Sequence, residues 1–415
     1  MSTYIVEGGR PLEGSVRVHG AKNSVLPILA ACLLAPGECV IHNCPELSDV
    51  RASLDILRRL GCRAERQGEA VVVDASAPTG WEVPDALMRE MRSSVIFLGA
   101  ILGRMGQAQL CAPGGCELGP RPIDLHLSAI RALGGAVEEA EGGLRCSGRL
   151  RGADIVLSLP SVGATENAML AAVSAHGDTT ITNAAREPEI VDLQNFLNTL
   201  GADVRGAGSS VITVRGGAPL HGGEYTVMGD RIVAATYLAA AASAGGEIQL
   251  TGVDWRHLST VTAVLREAGC AVESRAASIR LGCRGPLRGV PPVRTAPYPG
   301  FPTDAQAPLM AVMAKGSGCT VFVENIFESR YRHVDELTRM GADIRVEGRV
   351  AVVYGVPRLH GAKVQAADLR GGAALVVAAL GAEGRTAVSS VHHIDRGYQS
   401  LEGDLSALGA SIRRI

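Results

Sequence analysis

The sequence is poor in aromatic residues and carries almost no net charge. Of its 415 residues only 3% are aromatic, and 40 Lys and Arg residues nearly balance 42 Asp and Glu residues. Nucleic-acid-binding proteins rely on basic surfaces and on aromatic rings that stack on bases. We therefore expect no nucleic-acid partner, and an anionic ligand has to be bound by a local cluster of arginine and lysine residues.

Long apolar runs, an export signal and paired-cysteine motifs are also missing. The longest apolar stretches, such as 232–242, fall short of the roughly 20 residues that span a membrane. Residues 1–7 show neither the charged nor the apolar segment of a secretory signal. The ten cysteines are irregularly spaced without a C-x-x-C pair, which is typical of reduced thiols. We expect a cytoplasmic protein with no membrane partner and no metal site.

What the sequence does contain is an internal repeat. An apolar helical pattern that stops at a glycine and continues into a strand recurs six times, at intervals of 67 to 73 residues. A second pattern, a glycine that opens a strand, also recurs six times between these positions. We interpret the chain as six copies of one α/β unit of about 70 residues. The glycines of the first pattern are Gly61, Gly134, Gly201, Gly269, Gly341 and Gly409, and those of the second are Gly37, Gly106, Gly177, Gly246, Gly318 and Gly384.

Six such units could form an open solenoid or two closed groups of three. Solenoid repeats are usually about 20–45 residues long, and the chain length favours two domains of about 200 residues each. We predict two domains of three units, divided near Gly229. Residues 1–20 form a strand pair that precedes the first unit and could belong to either half.

A loop at 111–122 carries the most distinctive thiol. Three glycines and three prolines in these twelve residues argue against regular structure, and Cys116 follows two of the glycines. The loop is either a surface turn that happens to contain a cysteine or a mobile segment with a reactive thiol. The reactivity of a cysteine depends on surroundings that this stretch alone does not define.

Several helix starts in the first half suit an anionic ligand. Lys22 lies at a helix start beside small residues, Arg92 precedes an apolar helix, and 160–163 opens an Ala/Met-rich helix. Backbone N–H groups at a helix N-terminus bind anions. Taken singly, each has an ordinary explanation: a solvated lysine, a surface charge, a capped helix.

The second half contributes a candidate base and further arginines. A stiff, proline-rich arm, 294–304, ends in Asp304, which is either a positioned general base or the N-cap of a helix at 305–314. Arg330, Arg370 and Arg396 each follow a strand or open a helix. Singly each suggests an ion pair, whereas together with Lys22 and Arg121 they indicate a polyanionic substrate.

Taken together, these stretches resemble the enolpyruvyl transferase (EPSP synthase-like) family over essentially the whole chain. The resemblance implies a fold of two inside-out α/β domains, each of three repeated units of about 70 residues in a pseudo-threefold arrangement. It places residues 22–229, with the Cys116 loop, in one domain and 1–21 with 230–415 in the other. The motifs that carry it are 20–23, 113–116, 121–126, 161–165, 183–190, 301–304, 368–370 and 393–398.

The Pro-Gly-Gly-Cys motif of the loop points to one branch of this family. The branch transfers the enolpyruvyl group of phosphoenolpyruvate to the 3-hydroxyl of UDP-N-acetylglucosamine and releases phosphate, the first committed step of bacterial peptidoglycan synthesis. The sister branch, which acts on shikimate 3-phosphate, is not expected to carry this thiol. The resemblance implies no cofactor, because phosphoenolpyruvate brings its own leaving group, and it leaves the oligomeric state open.

The resemblance also implies a role for each candidate residue. Cys116 is the expected general acid, able to form an adduct with phosphoenolpyruvate, Asp304 is the base, and Asp368 assists proton movement. The phosphate and carboxylate of phosphoenolpyruvate are expected to bind Lys22, Arg121 and Arg396, with Arg330 and Arg370 nearby. The other expected substrate-binding residues are Asn23, Arg92, Pro122, Ile123, Asp124, Leu125, Pro160, Ser161, Val162, Gly163 and Ile326, with Arg121 and Asp304 also facing the UDP-sugar.

One departure from the family pattern is visible. Leu159 stands where some relatives carry a lysine that binds a diphosphate, so that contact is expected to be absent or replaced. An enzyme with a different nucleotide acceptor and a catalytically silent relative are the alternatives. The joint presence of Lys22, Cys116, Asp304 and Arg396 argues against the silent one.

Overall fold

A computed structural model describes residues 2–111, 123–140, 143–275 and 277–415. Within these ranges the strands are β1 Tyr4–Glu7, β2 Leu12–Arg17, β3 Glu38–His42, β4 Arg63–Gln67, β5 Ala70–Asp74, β6 Glu82–Val83, β7 Gln107–Cys111, β8 Ala136–Ala140, β9 Gly143–Ser147, β10 Asp154–Val156, β11 Asp178–Thr182, β12 Asp203–Arg205, β13 Val211–Arg215, β14 Gly223–Thr226, β15 Gly246–Thr251, β16 Ala271–Arg275, β17 Ser278–Cys283, β18 Val293–Arg294, β19 Cys319–Val323, β20 Asp343–Glu347, β21 Val350–Tyr354, β22 Lys363–Gln365, β23 Arg385–Ser389 and β24 Ser411–Arg414.

The helices over the same ranges are α1 Lys22–Cys32, α2 Ser48–Arg59, α3 Asp85–Glu90, α4 Phe97–Met105, α5 Asp124–Ala132, α6 Val162–Val173, α7 Pro188–Thr199, α8 Arg231–Ala244, α9 Ser259–Glu267, α10 Thr303–Met313, α11 Val334–Arg339, α12 Leu369–Gly381 and α13 Leu401–Ala407. Short 3₁₀ helices lie at Arg92–Ile96, Trp255–Leu258 and Val391–Arg396. None of the helices in the described part of the chain is long and apolar enough to cross a membrane.

The predicted sixfold repeat is confirmed. The described residues form six four-stranded sheets of one pattern, in which an edge strand runs parallel to its neighbour and the other two pairings are antiparallel. All six glycines predicted to stop helices have φ between 85° and 110°, a backbone conformation that favours glycine. The predicted α/β fold class follows from this alternation of helices and sheets.

Residues 20–228, as far as they are described, form one compact unit, called here the N-unit. Its sheets have the strand orders β14-β3-β5-β4, β6-β7-β9-β8 and β10-β11-β13-β12. Helices α1 and α6 are buried along nearly their whole length and α4 over its first six residues, and α4 packs against both α1 and α6. The helices therefore form the centre of the unit, and the sheets cover them.

Residues 2–19 and 229–415 form the second compact unit, the C-unit. Its sheets have the orders β2-β15-β17-β16, β18-β19-β21-β20 and β22-β23-β1-β24, and its buried helices α8, α10 and α12 all pack against one another. Strand β1 lies between β23 and β24, and β2 runs parallel to β15. The N-terminal strand pair thus completes two sheets of the C-unit. The division into functional domains at 22–229 and 1–21 with 230–415 stays a prediction.

The start of α10 settles one alternative left open by the sequence. The helix begins at Thr303, with Pro302 at the N-cap and no capping side chain. Asp304 therefore lies inside the first turn, and its interpretation as the N-cap of a helix beginning at residue 305 is wrong. The side chain of Asp304 is consequently available for partners outside its own helix.

Close contact between central helices requires glycine at one position of α4. A Cβ atom on Gly99 would lie 2.4 Å from the backbone oxygen of Asn167 in α6 and 3.0 Å from its Oδ1. Neither helix can move away without opening a core that is closely packed. Gly99 thus sets the distance between α4 and α6.

We expect Gly99→Ala to lower the free energy of unfolding by about 1–3 kcal/mol, because the added methyl group overpacks this interface. Gly403→Ala is the matched control on the exposed face of helix α13, where the added Cβ meets only the side chain of Ser400, whose hydroxyl can rotate away. The control is expected to be neutral or stabilising, since alanine favours helix. Urea denaturation measures the free energy of unfolding of both variants. Equal losses for Gly99→Ala and Gly403→Ala would contradict the close-packing argument.

Candidate active site

Asp304 of the C-unit is held between two buried arginines. Arg330 Nη2 donates to Asp304 Oδ1 at 2.8 Å, and Arg370 Nη2 donates to Oδ2 at 3.5 Å. The arginine side chains are 3% and 5% exposed, whereas that of Asp304 is 27% exposed. The carboxylate is thus held by two buried cations and is itself partly exposed to solvent. Two guanidinium groups fixed side by side can bind an anionic ligand through charge-assisted hydrogen bonds.

Each arginine has further contacts that fix its position. Arg330 also donates to the backbone oxygen of Thr303 at 3.1 Å and lies over the ring of Phe327. Arg370 Nη1 donates to the hydroxyl of Tyr398 at 3.3 Å, and its guanidinium lies 5.6 Å from the centre of that ring. Burial by itself disfavours the charged form of Arg370, but Asp304, Tyr398 and Asp230 together outweigh it and raise the pKa of Arg370. Both arginines are therefore fixed cations.

Asp368, expected to assist proton movement, is the N-cap of α12. Its Oδ1 accepts from the backbone N–H groups of Arg370 at 3.0 Å and Gly371 at 2.9 Å. This capping fixes the helix turn that carries Arg370, so Asp368 contributes to the site through Arg370. Arg396 is half-buried at the end of the 3₁₀ helix Val391–Arg396.

Ile326, an expected substrate contact, is tied to the start of α10 by a glutamate that the sequence analysis did not identify. Glu324, 1% exposed, accepts from the backbone N–H of Ile326 at 2.8 Å and from that of Phe327 at 3.0 Å. Its other oxygen accepts from the hydroxyl of Thr303 at 3.0 Å. Ile326 remains 39% exposed and available for contact.

In the N-unit, Lys22 opens α1 and forms a buried ion pair. Its Nζ lies 2.7 Å from Asp49 Oδ2, and the two side chains are 10% and 2% exposed. Two residues further on, Ser24 donates to Asp192, which also accepts from the hydroxyl of Tyr225 at 2.6 Å. Lys22 therefore has a fixed position at the N-terminus of α1 and is not the solvated lysine of the alternative interpretation.

The start of α6 is joined to α5 by a buried histidine. Ser161 caps α6 by accepting from Ala164 N at 3.4 Å, and a Cβ on Gly163 would lie 3.0 Å from His126 Cε1. Asn167 Oδ1 accepts from the backbone N–H of Gly99, so its Nδ2 donates to His126 Nδ1 at 2.7 Å. This assigns the proton of the neutral ring to Nε2. Burial lowers the pKa of His126 to about 4.

The remaining predicted residues of the N-unit lie at helix starts or outside the described residues. Ile123 is the N-cap residue of α5. The side chains of Asp124, in the first turn of α5, and Asn23, in α1, are exposed. Those of Leu125, Pro160 and Val162 are half-buried. Leu159 is 66% exposed. Cys116, Arg121 and Pro122 lie outside the described residues, as does the side chain of Arg92, whose backbone opens the 3₁₀ helix before α4.

The structure thus brings Asp304, Arg330, Arg370 and Asp368 together in the C-unit, and it gives Lys22 a defined environment in the N-unit. The sequence analysis missed Asp49, which pairs with Lys22, Glu324, which ties Ile326 to the start of α10, and Asn167, which bonds to His126. The 121–126 motif did include His126, but a single histidine on an apolar helix face does not reveal its partner.

The sequence and the fold are similar to those of known proteins. The family model described as EPSP synthase (3-phosphoshikimate 1-carboxyvinyltransferase) matches residues 6–405. The enolpyruvyl transferase NikO from Streptomyces tendae has a similar structure, with a TM-score of 0.89, 29% identity and coverage of 100% of this chain and 98% of that one. EPSP synthase from Acinetobacter baumannii shares the fold, with a TM-score of 0.78 at 19% identity over the whole of both chains. The chain belongs to the EPSP synthase family of enolpyruvyl transferases.

Relatives with higher identity come from a narrower group. UDP-N-acetylglucosamine 1-carboxyvinyltransferase 2 of Caldanaerobacter subterraneus subsp. tengcongensis is 51% identical over 416 residues, covering 100% of each chain. The UDP-N-acetylglucosamine 1-carboxyvinyltransferase 1 of Symbiobacterium thermophilum is 51% identical and covers 99% of this chain and 95% of its own. The family and the two-domain α/β fold predicted from the sequence are confirmed.

We expect Asp49→Asn to lower the free energy of unfolding by about 3 kcal/mol, because it leaves the buried ammonium of Lys22 without its carboxylate. Asp55→Asn is the matched control: Asp55 lies on the same helix α2 in an exposed pair with Arg58, and its loss is expected to change stability by less than about 1 kcal/mol. Urea denaturation at pH 7 compares the two. Equal losses would show that the Lys22–Asp49 pair contributes no more than a surface pair.

The buried ring of His126 predicts a loss of stability in acid. Since burial lowers its pKa to about 4, the unfolded chain binds a proton below its ordinary pKa of about 6.5 while the folded protein does not. Stability therefore falls as the pH drops from 6.5 to 4, by an amount on the order of 3 kcal/mol for this ring. The His126→Gln variant keeps an acceptor for Asn167. Between pH 6.5 and 4 the slope of its unfolding free energy against pH should be smaller by the uptake of about one proton. His221→Gln, at an exposed histidine, is the control, and equal curves for the two variants would contradict the assignment.

Proposed function

We propose that this protein transfers the enolpyruvyl group of phosphoenolpyruvate to the 3-hydroxyl of UDP-N-acetylglucosamine and releases phosphate, the first committed step of peptidoglycan synthesis. The observation that carries the proposal is the carboxylate of Asp304, partly exposed and fixed by two buried arginines. Full-length identity of 51% to relatives named for this activity supports the choice of acceptor.

The chemistry needs an acid, a base and anion-binding groups. In the addition step Cys116 donates a proton to the methylene carbon of phosphoenolpyruvate, and Asp304 removes the proton of the sugar hydroxyl as its oxygen bonds to the neighbouring carbon. In the elimination step the thiolate left on Cys116 takes a proton back from the methyl group as the carbon–oxygen bond to phosphate breaks, which restores the double bond. A partly exposed carboxylate held in one orientation suits the role of Asp304, because a base has to meet its substrate at a fixed geometry.

The phosphate and carboxylate of phosphoenolpyruvate are assigned to Lys22, Arg121 and Arg396, with Arg330 and Arg370 as further cations. The Lys22–Asp49 pair and the Asp304 cluster support this assignment, since both present cations whose positions are fixed before an anion binds. The UDP-sugar is assigned to the starts of α5 and α6, which His126 and Asn167 connect, and to Ile326. Leu159 adds an exposed apolar side chain beside the start of α6.

Both units contribute residues to this proposal, so we assign each of them to one enolpyruvyl transferase domain. We further propose that the reaction takes place in the cytoplasm, where both substrates are expected. The nine cysteines among the described residues are all free thiols, which agrees with a reducing compartment.

The test is release of phosphate from phosphoenolpyruvate, measured with and without UDP-N-acetylglucosamine. We expect release that requires the UDP-sugar, and a fall in kcat of about 10²- to 10⁴-fold for Cys116→Ser and for Asp304→Asn, the range for loss of a general acid or base. Cys111→Ser and Asp335→Asn are the matched controls: Cys111 is the last residue of β7, and Asp335 is exposed on α11. Both controls are expected to keep near wild-type rates.

The other outcomes separate the alternatives. Release that depends on shikimate 3-phosphate or on another nucleotide sugar would change the acceptor and keep the reaction class. No release from folded wild-type protein with any of these acceptors would indicate a silent member of the family. Full activity of Asp304→Asn would remove Asp304 as the base.

A further inference from the structure

A buried tyrosine in the C-unit joins three elements beside the candidate active site. Tyr398 is 2% exposed and follows the 3₁₀ helix Val391–Arg396 by two residues. Its hydroxyl lies 2.7 Å from Oγ1 of Thr236 in α8 and 3.3 Å from Nη1 of Arg370 in α12. One hydroxyl group thus connects α8, α12 and the segment that carries Arg396.

The donors and acceptors of this group allow only one arrangement. Thr236 has a single hydroxyl proton, which it donates to the backbone oxygen of Ile232 at 3.0 Å. The oxygen of Thr236 is therefore the acceptor in its bond with Tyr398, and the tyrosine proton is used there. Arg370 has only donors, so Tyr398 accepts from it. The chain of hydrogen bonds runs in one direction, from the guanidinium of Arg370 through both hydroxyl groups to the backbone of α8.

Burial keeps the tyrosine in the form that this chain requires. It raises the pKa of Tyr398, although Arg370 and Thr236 oppose the shift. The hydroxyl therefore keeps its proton at neutral pH and can donate to Thr236 while it accepts from Arg370.

The backbone around Tyr398 packs closely on the start of α12. A Cβ atom on Gly397 would lie 2.8 Å from Cδ2 of Leu369, the first residue of α12 and the neighbour of Arg370. The backbone N–H of Tyr398 donates back into the 3₁₀ turn that ends at Arg396. The tyrosine is thus joined to Arg370 through its hydroxyl and to Arg396 through its backbone.

We propose that Tyr398 is a positioning residue that holds Arg370 against Asp304 and sets the place of Arg396 beside it, with Thr236 as the acceptor that orients its hydroxyl. The bond from Arg370 to Asp304 is long, at 3.5 Å, so by itself it defines the place of the guanidinium poorly. The contact with Tyr398 supplies a second, independent point of attachment. The kinetic part of this inference rests on the proposed function, whereas the chain of hydrogen bonds does not.

The first test is Tyr398→Phe, which keeps the ring and removes the hydroxyl. We expect kcat to fall by about tenfold with both KM values within a few-fold of wild type, because the arginines keep their charge but are no longer held in place. Tyr237→Phe is the matched control, since Tyr237 is a buried tyrosine of α8 whose hydroxyl donates to Asp404 in α13. It also loses a buried hydrogen bond, but it should keep the wild-type kcat.

A structural role alone would affect the two tyrosine variants in the same way. A folded Tyr398→Phe variant with wild-type kcat, or equal losses of kcat in Tyr398→Phe and Tyr237→Phe, would therefore overturn the proposal.

The second test uses the acceptor of the tyrosine. Thr236→Val keeps the shape of the side chain without the hydroxyl, and we expect it to lower kcat by roughly 3- to 10-fold, the effect of one lost hydrogen bond. Thr236→Ser should restore kcat to near the wild-type value. In the Tyr398→Phe background, Thr236→Val should cause no further loss, because the chain is already broken.

Thr262→Val is the control for this substitution, since Thr262 is a buried threonine of α9 whose hydroxyl donates only within its own helix, to the backbone oxygen of Ser259. It should leave kcat unchanged. Wild-type kcat in Thr236→Val, or the same loss with and without the Tyr398 hydroxyl, would overturn the proposal.

A third measurement does not depend on activity. Thermal unfolding of Tyr398→Phe, Thr236→Val and the double variant forms a double-mutant cycle. We expect the two shifts in Tm to be non-additive by about 2–4 °C, since both single changes break the same hydrogen bond. Additive shifts would overturn the link between Tyr398 and Thr236. Non-additive shifts in a folded protein without transferase activity would overturn the proposed function and the kinetic part, and leave the chain of hydrogen bonds standing.

Discussion

The arrangement of this protein depends on the burial of the central helices along all their faces. Helix α12 is buried from Arg370 to Gly381 and α8 from Arg231 to Ser243, and both consist mainly of alanine and aliphatic residues. A helix that is apolar all round is stable only when other elements cover it completely. The six sheets provide this cover, and glycines such as Gly99 bring the helices to the distance at which their backbones touch.

This burial decides where chemistry can occur. Polar side chains cannot be placed along the covered helix faces without cost, but the first turn of each helix has unpaired N–H groups that favour acceptors and anions. The polar residues of the central helices are accordingly concentrated in or just before the first turn. Examples are Lys22, Asn23 and Ser24 for α1, Ser161 and Thr165 for α6, Asp230 and Arg231 for α8, Thr303 and Asp304 for α10, and Asp368 and Arg370 for α12. Glu166 and Asn167 of α6, Thr236 of α8 and Gln306 of α10 lie further along their helices.

The same constraint explains what the sequence could predict. The spacing of glycines such as Gly61 and Gly341 indicates the repeat, because each repeat needs a left-handed residue at the same helix end. Helix starts rich in charged residues indicate the site. The sequence could not identify partners that come from other elements, such as Asp49 for Lys22 or Tyr398 for Arg370, because these contacts depend on how separate turns pack. It also left open whether Asp304 caps its helix, and the helix in fact begins at Thr303, two residues earlier than a cap at Asp304 requires.

The pairing of Asp304 with two arginines also bears on the order of events in the proposed reaction. While Asp304 is ionised, it neutralises part of the charge of Arg330 and Arg370 and so offsets the cost of burying them. When it accepts the proton of the sugar hydroxyl, that neutralisation ends, and the two buried guanidinium groups lose the charge of the carboxylate that they contact directly. Their attraction for an anion is then strongest directly before phosphate departs. A base whose counterions are fixed in this way couples the first proton transfer to stabilisation of the leaving group, without any movement of the arginines.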